Sequence, residues 1–295
     1  MKIAIILNGV SRKKGYFYSS ILPALASKHQ VAVFETQRAG DGKQLAMQHA
    51  RYFDVLLAAG GDGTLHEVVN GLMAVPQRPT LGVIPLGSGN DFAGTCGIKA
   101  EGSYLLKLLQ QAPKPTDIGH VVCHDDMGNA KQEYFINVCS AGMGPSTVSK
   151  MTRLPRWLGA QGRYLGAILQ TFFAHAPEEV TVQCRNFSWN GSARVVAVAN
   201  GQSFGNKIFI APDAEVDDGE FNLFIGGEVP LPQFLWYLQQ IKMKRKVRAQ
   251  QVYYVKASDV RLSSTKAAML EADGELLGWL PAKVEFSGKN LQVYR

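Results

Sequence analysis

The sequence predicts an α/β domain, a parallel sheet flanked by helices, followed by a mainly antiparallel β-sandwich domain. Two patterns carry this. Up to Thr116, apolar runs at Ile3–Leu7, Val31–Phe34, Val55–Ala59 and Thr80–Leu86 alternate with stretches of helical periodicity, which is how parallel strands joined by crossover helices read. Beyond Pro113-Lys-Pro115, many short strand-like runs follow with turns between them, as in a sandwich. At 295 residues the chain suits two domains of ordinary size. The expected division is 1–118 and 119–295, with the last strand a candidate to return to the first domain.

Taken in order, Met1–Leu7 is too short for a signal-peptide core and reads as a first buried strand. A polar, basic turn, Asn8–Gly15, leads to an expected helix from Tyr16 to about His29. The second strand ends at Thr36, a helix follows over Gln44–Arg51, and Val55–Ala59 forms the third strand. That strand runs into Gly60-Gly61-Asp62-Gly63-Thr64 and then into Leu65, Val68, Val69 and Leu72 at helical spacing. Thr64 stands where an N-cap would, with Glu67 three residues on. Strand, glycine turn and helix N-terminus together bind phosphate, because backbone N–H groups and the positive end of the helix dipole face the anion. A plain strand-to-helix turn needs fewer glycines than this one has. The fourth strand, Thr80–Leu86, ends in a second glycine loop, Gly87-Ser88-Gly89-Asn90-Asp91. Ligands of such sheets sit beyond the carboxyl ends of the strands, where Asn8, Thr36, Gly60–Thr64 and Ser88 all fall.

The first loop is neither a Walker A sequence nor a dinucleotide fingerprint. Gly60-Gly-Asp-Gly-Thr-Leu-His-Glu-Val-Val-Asn-Gly-Leu72, followed by Pro85-Leu-Gly-Ser-Gly-Asn-Asp-Phe-Ala93, resembles the bacterial lipid kinase family of diacylglycerol kinase type, related to sphingosine kinases. Gly9 stands where that family usually has proline, Ser88 where threonine is common and His66 where many bacterial members have asparagine. The resemblance implies that Asn8, Thr36, Gly60, Gly61, Asp62, Gly63, Thr64, Leu65, His66 and Ser88 hold ATP, with Asp62 orienting the phosphates or their metal.

In the second half, Val121–His124 and Gln132–Val138 read as a hairpin. Further strands are expected near Val180–Cys184, Ala193–Ala199, Glu220–Ile225, Val252–Lys256, Val260–Leu262, Lys283–Phe286 and Leu291–Tyr294, interrupted by helices over about 157–173 and 231–246. In Ala211-Pro-Asp-Ala-Glu-Val-Asp-Asp-Gly-Glu-Phe221 the acids could simply solvate a turn. The resemblance instead implies a structural Mg2+ site made by the Asp218 carboxylate and the carbonyls of Glu215 and Glu220, a hard-oxygen set. In Met269-Leu-Glu-Ala-Asp-Gly-Glu-Leu276, a hairpin turn centred on Asp273-Gly274 is expected. Here the resemblance implies acid–base chemistry by Asp273 and Glu275, since phosphoryl transfer to an alcohol needs an acceptor for the hydroxyl proton. Strand alternation would put Glu271, Asp273 and Glu275 on one side; Glu271 has no assigned role.

Lys and Arg number 31 against 24 Asp and Glu, a net +7, which suits nucleotides and anionic membranes. No nucleic-acid-binding motif accompanies the charge. The four cysteines are scattered, as in a cytosolic protein with reduced thiols. The expected function is an ATP-dependent lipid kinase using Mg2+. The alternatives are a kinase of a soluble alcohol, as in NAD kinases, and a non-catalytic lipid- or nucleotide-binding protein of the same fold. The lipid substrate implies peripheral, salt-sensitive contact with the anionic inner face of the membrane. Leu231–Ile241, with Phe234, Leu235, Leu238 and Ile241 on one helical face and Trp236 and Tyr237 off it, runs into Lys242, Lys244, Arg245, Lys246 and Arg248 and suits that contact. Arg153, Arg156, Trp157 and Arg163 offer a rival surface. A homodimer stays open.

Overall fold

The computed structural model describes residues 1–151, 159–174 and 176–295. The chain divides into two compact units, Met1–Thr116 with Lys289–Arg295, and Asp117–Gly288.

In the first unit, β1 (Lys2–Asn8), β2 (Gln30–Thr36), β3 (Val55–Gly60) and β4 (Thr80–Pro85) are parallel neighbours in the order β2-β1-β3-β4. Leu291–Val293 then adds beside β4 in parallel, and β5 (Lys114–Thr116) closes that edge antiparallel. Ile3, Ile5, Ile6 and Leu7 are fully buried, which explains why these strands read as continuous apolar runs rather than alternating ones. The helix expected over Tyr16–His29 is broken: Lys14–Tyr16, a π turn over Phe17–Ile21, then Leu22–Ala26. Pro23 has no N–H to donate back along the helix, and a wider turn accommodates the gap.

The second unit holds β6 (Gly119–His124), β7 (Ala130–Phe135), β8 (Val138–Gly142), β9 (Glu178–Cys184), β10 (Phe187–Ala199), β11 (Phe221–Gly227), β12 (Val252–Ala257), β13 (Asp259–Ser264), β14 (Met269–Ala272) and β15 (Glu275–Phe286). All pairings are antiparallel, in the order β12-β11-β10-β8-β14-β15-β13-β9, with β6 and β7 hanging from β15. Because β9 also pairs with β10, the sheet closes on itself, a barrel-like version of the expected sandwich. Its inside is packed with Val182, Val198, Val260 and Leu270 and a stack of Phe135, Phe221 and Phe286. The run expected as one strand over Gln132–Val138 splits at Ile136-Asn137.

Helices Met143–Met151, Gly159–Ala174 and Leu231–Lys242 complete this unit. The first was not expected. The last stops four residues short of the expected Lys246. Lys244 adopts φ 58°, and Arg245 N–H bonds the Gln240 carbonyl at 3.0 Å, so a left-handed cap ends the helix before the basic run. Tyr237 is buried and Leu235 exposed, so the inward stripe is Phe234, Tyr237, Leu238 and Ile241, not the stripe expected from spacing. Among the described residues no helix is long and apolar enough to cross a membrane. Arg153, Arg156 and Trp157 lie outside the described residues.

Candidate active site

The first glycine loop leaves β3 and enters a helix that begins at Asp62. Its N-cap is Gly61, in extended conformation and without a side-chain cap. Thr64 is therefore inside the first turn, which corrects the expected capping box. The Thr64 hydroxyl accepts the Asn8 amide at 3.1 Å, linking the ends of β1 and β3. Glu67 instead accepts the N–H groups of Gly40 and Gly42, both at 2.8 Å, at the N-terminus of helix Asp41–His49. A first helical turn leaves its N–H groups without intrahelical acceptors, and those of Gly63 and Thr64 lie in that turn. Leu65 N–H already bonds the Gly61 carbonyl at 3.1 Å, and the Leu65 and His66 side chains are buried. They shape the helix from within.

Much of the glycine requirement comes from the two loops touching each other. A Cβ on Gly87 would lie 2.4 Å from the Cα of Gly61, and one on Gly60 would strike the Thr64 side chain. Leu86 and Gly87 N–H both bond the Gly60 carbonyl, at 2.8 and 3.0 Å. Asp62 ties the loops further: its carboxylate accepts Asn90 N–H at 2.8 Å and Phe92 N–H at 3.4 Å. Asn90, at φ 58°, folds the second loop by bonding both N–H and C=O of Gly87. Thr36 reaches the same rim, its hydroxyl accepting Gly9 N–H at 3.4 Å, and Ser88 is exposed there. The unit thus brings Asn8, Thr36, Gly60–Thr64 and Ser88 to the carboxyl ends of four adjacent strands.

In the second unit, the acidic turn carries Asp218 before Gly219, which has φ +72°. Asp218 Oδ1 accepts Glu220 N–H at 3.0 Å, and Oδ2 accepts the Lys256 ammonium at 2.9 Å. The same ammonium bonds Glu220 Oε2 at 2.8 Å. These bonds hold the Lys256 pKa above its ordinary value, with Glu220 the larger cause and Asp218 next. Asp218 with the carbonyls of Glu215 and Glu220 would be a hard-oxygen set of the kind magnesium prefers; the Asp218 and Glu220 carboxylates are here paired with the Lys256 ammonium. A divalent ion would compete with Lys256, whose side chain is half exposed and can withdraw.

The last motif is a two-residue hairpin turn between β14 and β15. Asp273 at φ 52° and Gly274 at φ 89° supply the two positive angles that such a turn takes, as Asp-Gly predicts. Asp273 is buried; its carboxylate accepts the N–H groups of Ile136, Asn137 and Val138 at 3.1, 2.9 and 3.1 Å. Those are the groups orphaned where β7 gives way to β8. Glu275 is exposed and pairs across the ladder with Ala272. Cross-strand partners share a face, so Glu275 does not lie on the face of Glu271, as unbroken strand alternation had suggested. The turn reverses the chain between them.

A buried polar chain connects this hairpin to the acidic turn. Asn200 donates to the carbonyls of Ile136 and Asp117 at 2.8 and 3.0 Å. Asp117 in turn accepts Gly219 N–H at 2.8 Å, and its own N–H bonds the Val216 carbonyl at 2.8 Å. Sequence reading missed Asn200 and Asp117, since isolated polar residues near strand ends carry no motif. The unit also contains an open-mouthed apolar cavity lined by Met143, Ile168, Phe224, Phe234, Tyr237 and Leu238 among others.

In the first unit, two glycine loops meet at the carboxyl ends of adjacent parallel strands, beside a helix N-terminus, the features of a phosphate-binding class of site. Comparison with known proteins makes it particular. Residues 2–121 match the diacylglycerol kinase catalytic domain, and residues 137–295 match the YegS C-terminal NAD kinase beta sandwich-like domain. A diacylglycerol kinase of Bacillus subtilis is 32% identical over 99% of this chain and 93% of its own length. A probable lipid kinase YegS-like protein of Chromohalobacter salexigens is 33% identical over 75% of this chain and 70% of its own. The crystal structure of a putative diacylglycerol kinase from Bacillus anthracis has the same fold, with a TM-score of 0.76 at 24% identity over 97% of this chain and 93% of that one. The chain belongs to the diacylglycerol kinase family of ATP-dependent lipid kinases.

Proposed function

We propose that this kinase transfers the γ-phosphoryl group of ATP to the hydroxyl of an apolar lipid such as diacylglycerol. The family match supports the reaction class, and the cavity in the second unit supports an acyl-bearing acceptor over a soluble alcohol, since apolar lining gains by burying hydrocarbon. Gly60–Thr64 hold the phosphates on the N–H groups of the helix N-terminus; Asn8, Thr36 and Ser88 complete the rim, and Leu65 and His66 back it. Asp62 keeps the two loops in register. Bound with ATP, Mg2+ would neutralise phosphate charge, and Asp218 with the carbonyls of Glu215 and Glu220 would hold a second, structural Mg2+.

Glu275 is the general base. One observation carries this assignment: of Glu271, Asp273 and Glu275, only Glu275 is exposed, while Asp273 spends both oxygens on backbone N–H groups. Glu275 takes the proton as the hydroxyl oxygen bonds to the γ-phosphorus; the bond from that phosphorus to the bridging oxygen breaks, and ADP leaves. Asp273 acts by holding the turn.

Access to the lipid falls to the surface beside helix Leu231–Lys242, where Trp236, Leu235 and Met243 are exposed next to Lys242, Lys244, Arg245 and Arg248. The enzyme works from the cytosolic side, peripherally. Every residue given a role comes from one chain, so the reading does not require a homodimer. Labelled ATP, Mg2+ and a panel of extracted lipids, resolved by chromatography, test the proposal. Label should enter an apolar lipid in the wild type and not in Glu275→Gln. Label in a soluble alcohol alone, or none in any lipid, refutes it.

A further inference from the structure

Glu271 is 1% exposed, and a buried carboxylate is costly unless it is well bonded. Its Oε2 accepts Gly274 N–H at 2.8 Å, inside the turn that carries Glu275. Its Oε1 accepts the Ser140 hydroxyl at 2.5 Å. Ser140 is fully buried on β8 and faces Glu271 across the β8–β14 ladder. A third neighbour is the start of helix Met143–Met151. A Cβ on Gly144 would lie 2.2 Å from Ser140 Oγ and 3.5 Å from Glu271 Oε1, so the acid–hydroxyl pair presses against the first turn of that helix. The positive end of a helix dipole favours a carboxylate there. Met143, Gly144 and Thr147 of the same helix line the apolar cavity. Glu271 therefore bonds the hairpin turn directly and, through Ser140, reaches the helix that lines the cavity.

The local register fits this role. The β14–β15 ladder slips between Leu270 and Glu271, with Leu270 opposite Gly278 and Glu271 opposite Leu276. Such irregularities re-aim side chains and loosen the ladder beside functional sites. At the hairpin end the ladder is reduced to Glu271–Leu276 and Ala272–Glu275. The Glu271–Gly274 bond closes the turn from inside.

We propose that Glu271, held by Ser140, is a positioning residue: it fixes the Asp273-Gly274 turn so that Glu275 is presented to an acceptor seated in the cavity. The inference rests on the lipid kinase reading with Glu275 as base. Its carboxylate does not meet substrate. It orients the turn, and through the helix at Met143 it makes that orientation depend on the cavity wall.

The test combines Glu271→Gln, Glu271→Asp and Ser140→Ala in the full chain. Gln loses the charge, Asp keeps the charge but not the reach, and Ala removes only the hydroxyl, the mildest change should the others fold poorly. In each folded variant kcat should fall by at least about tenfold while KM for ATP stays within about twofold, the pattern of a group acting only in the transition state. Amide exchange at Gly274 and Glu275 should quicken by about tenfold or more, since the bond inside the turn loses its charge, its reach or its support from Ser140. A purely structural role would lower the melting temperature and leave kcat of the folded protein unchanged, and that result overturns the proposal. So does unchanged amide exchange in Glu271→Gln. If the wild type phosphorylates no lipid while exchange still quickens in the variants, the fault lies with the substrate reading and not with the positioning of the turn.

Discussion

Replacing Gly87 with alanine tests whether the two glycine loops are held by mutual contact. The added Cβ would lie 2.4 Å from Gly61 Cα, 3.0 Å from Gly61 N and 2.9 Å from Asn90 Oδ1. Ordinary contact needs about 3.4 Å or more, so the loops must part by about 1 Å, at an overpacking cost of about 1–3 kcal/mol. Parting also stretches the bonds from Leu86 and Gly87 to the Gly60 carbonyl, each worth about 0.5–1.5 kcal/mol. The total is about 2–4 kcal/mol, or a fall of about 10 °C in the melting of the first unit. Alanine at Gly61 is the internal control, because its Cβ would stand 3.3 Å from Gly87 Cα and a shift of a few tenths of an ångström relieves it; the expected cost is below about 1 kcal/mol. Differential scanning calorimetry and urea denaturation of both variants, with ATP binding measured alongside, make the comparison. Gly87→Ala should lose stability and ATP affinity together. Equal melting temperatures for the two variants, or a Gly87→Ala protein as stable as wild type, would refute the reasoning.

Asp273→Ala strips the acceptor from three buried N–H groups and should cost at least about 3 kcal/mol in urea denaturation, whereas Glu275→Ala should leave stability nearly unchanged. In the wild type, Lys256 competes for the Asp218 site, so Mg2+ should raise the melting temperature only slightly over a chelator. Lys256→Met should enlarge that rise by mass action, and no response in either protein would remove the ion from this turn. Burial raises the Glu178 carboxyl above its ordinary range, so the stability it contributes is fully present below its unfolded pKa and lost as pH rises through the raised value. Glu178→Gln should therefore melt like wild type in acid and higher than wild type at neutral pH. Replacing Lys242, Lys244, Arg245 and Arg248 with Gln should abolish flotation with anionic vesicles at low salt; unchanged flotation would leave that run as a helix end.

What the sequence disclosed followed the physics of each element. Buried parallel strands are legible because both faces are apolar, and Asp-Gly announced its turn because few residues accept two positive φ angles. The glycine loops were legible as turns at the carboxyl ends of strands, but not as a pair of touching backbones, since contact across adjacent strands leaves no local spacing. For the same reason Thr64 passed for a cap while its hydroxyl serves Asn8, a partner 56 positions away. The helix at Leu231 shows the limit of periodicity, which places a stripe but not which neighbour covers it. Asn200, Asp117 and the clamp at Asp273 depend on long-range partners and leave no mark in the sequence around them.

The strand Leu291–Val293, β16, belongs to the sheet of the first unit and lies between β4 and β5, yet it follows the whole of Asp117–Gly288 in the chain. Synthesis thus delivers the first unit's sheet with its β4–β5 gap open, and the gap persists until the second unit has been made. An open parallel edge invites foreign strands, and domains otherwise tend to fold as they emerge. The two units are in this way bound to a shared schedule: the one that starts first is finished last. A chain ended after Gly288 should have a second unit able to fold and a first unit still sensitive to protease.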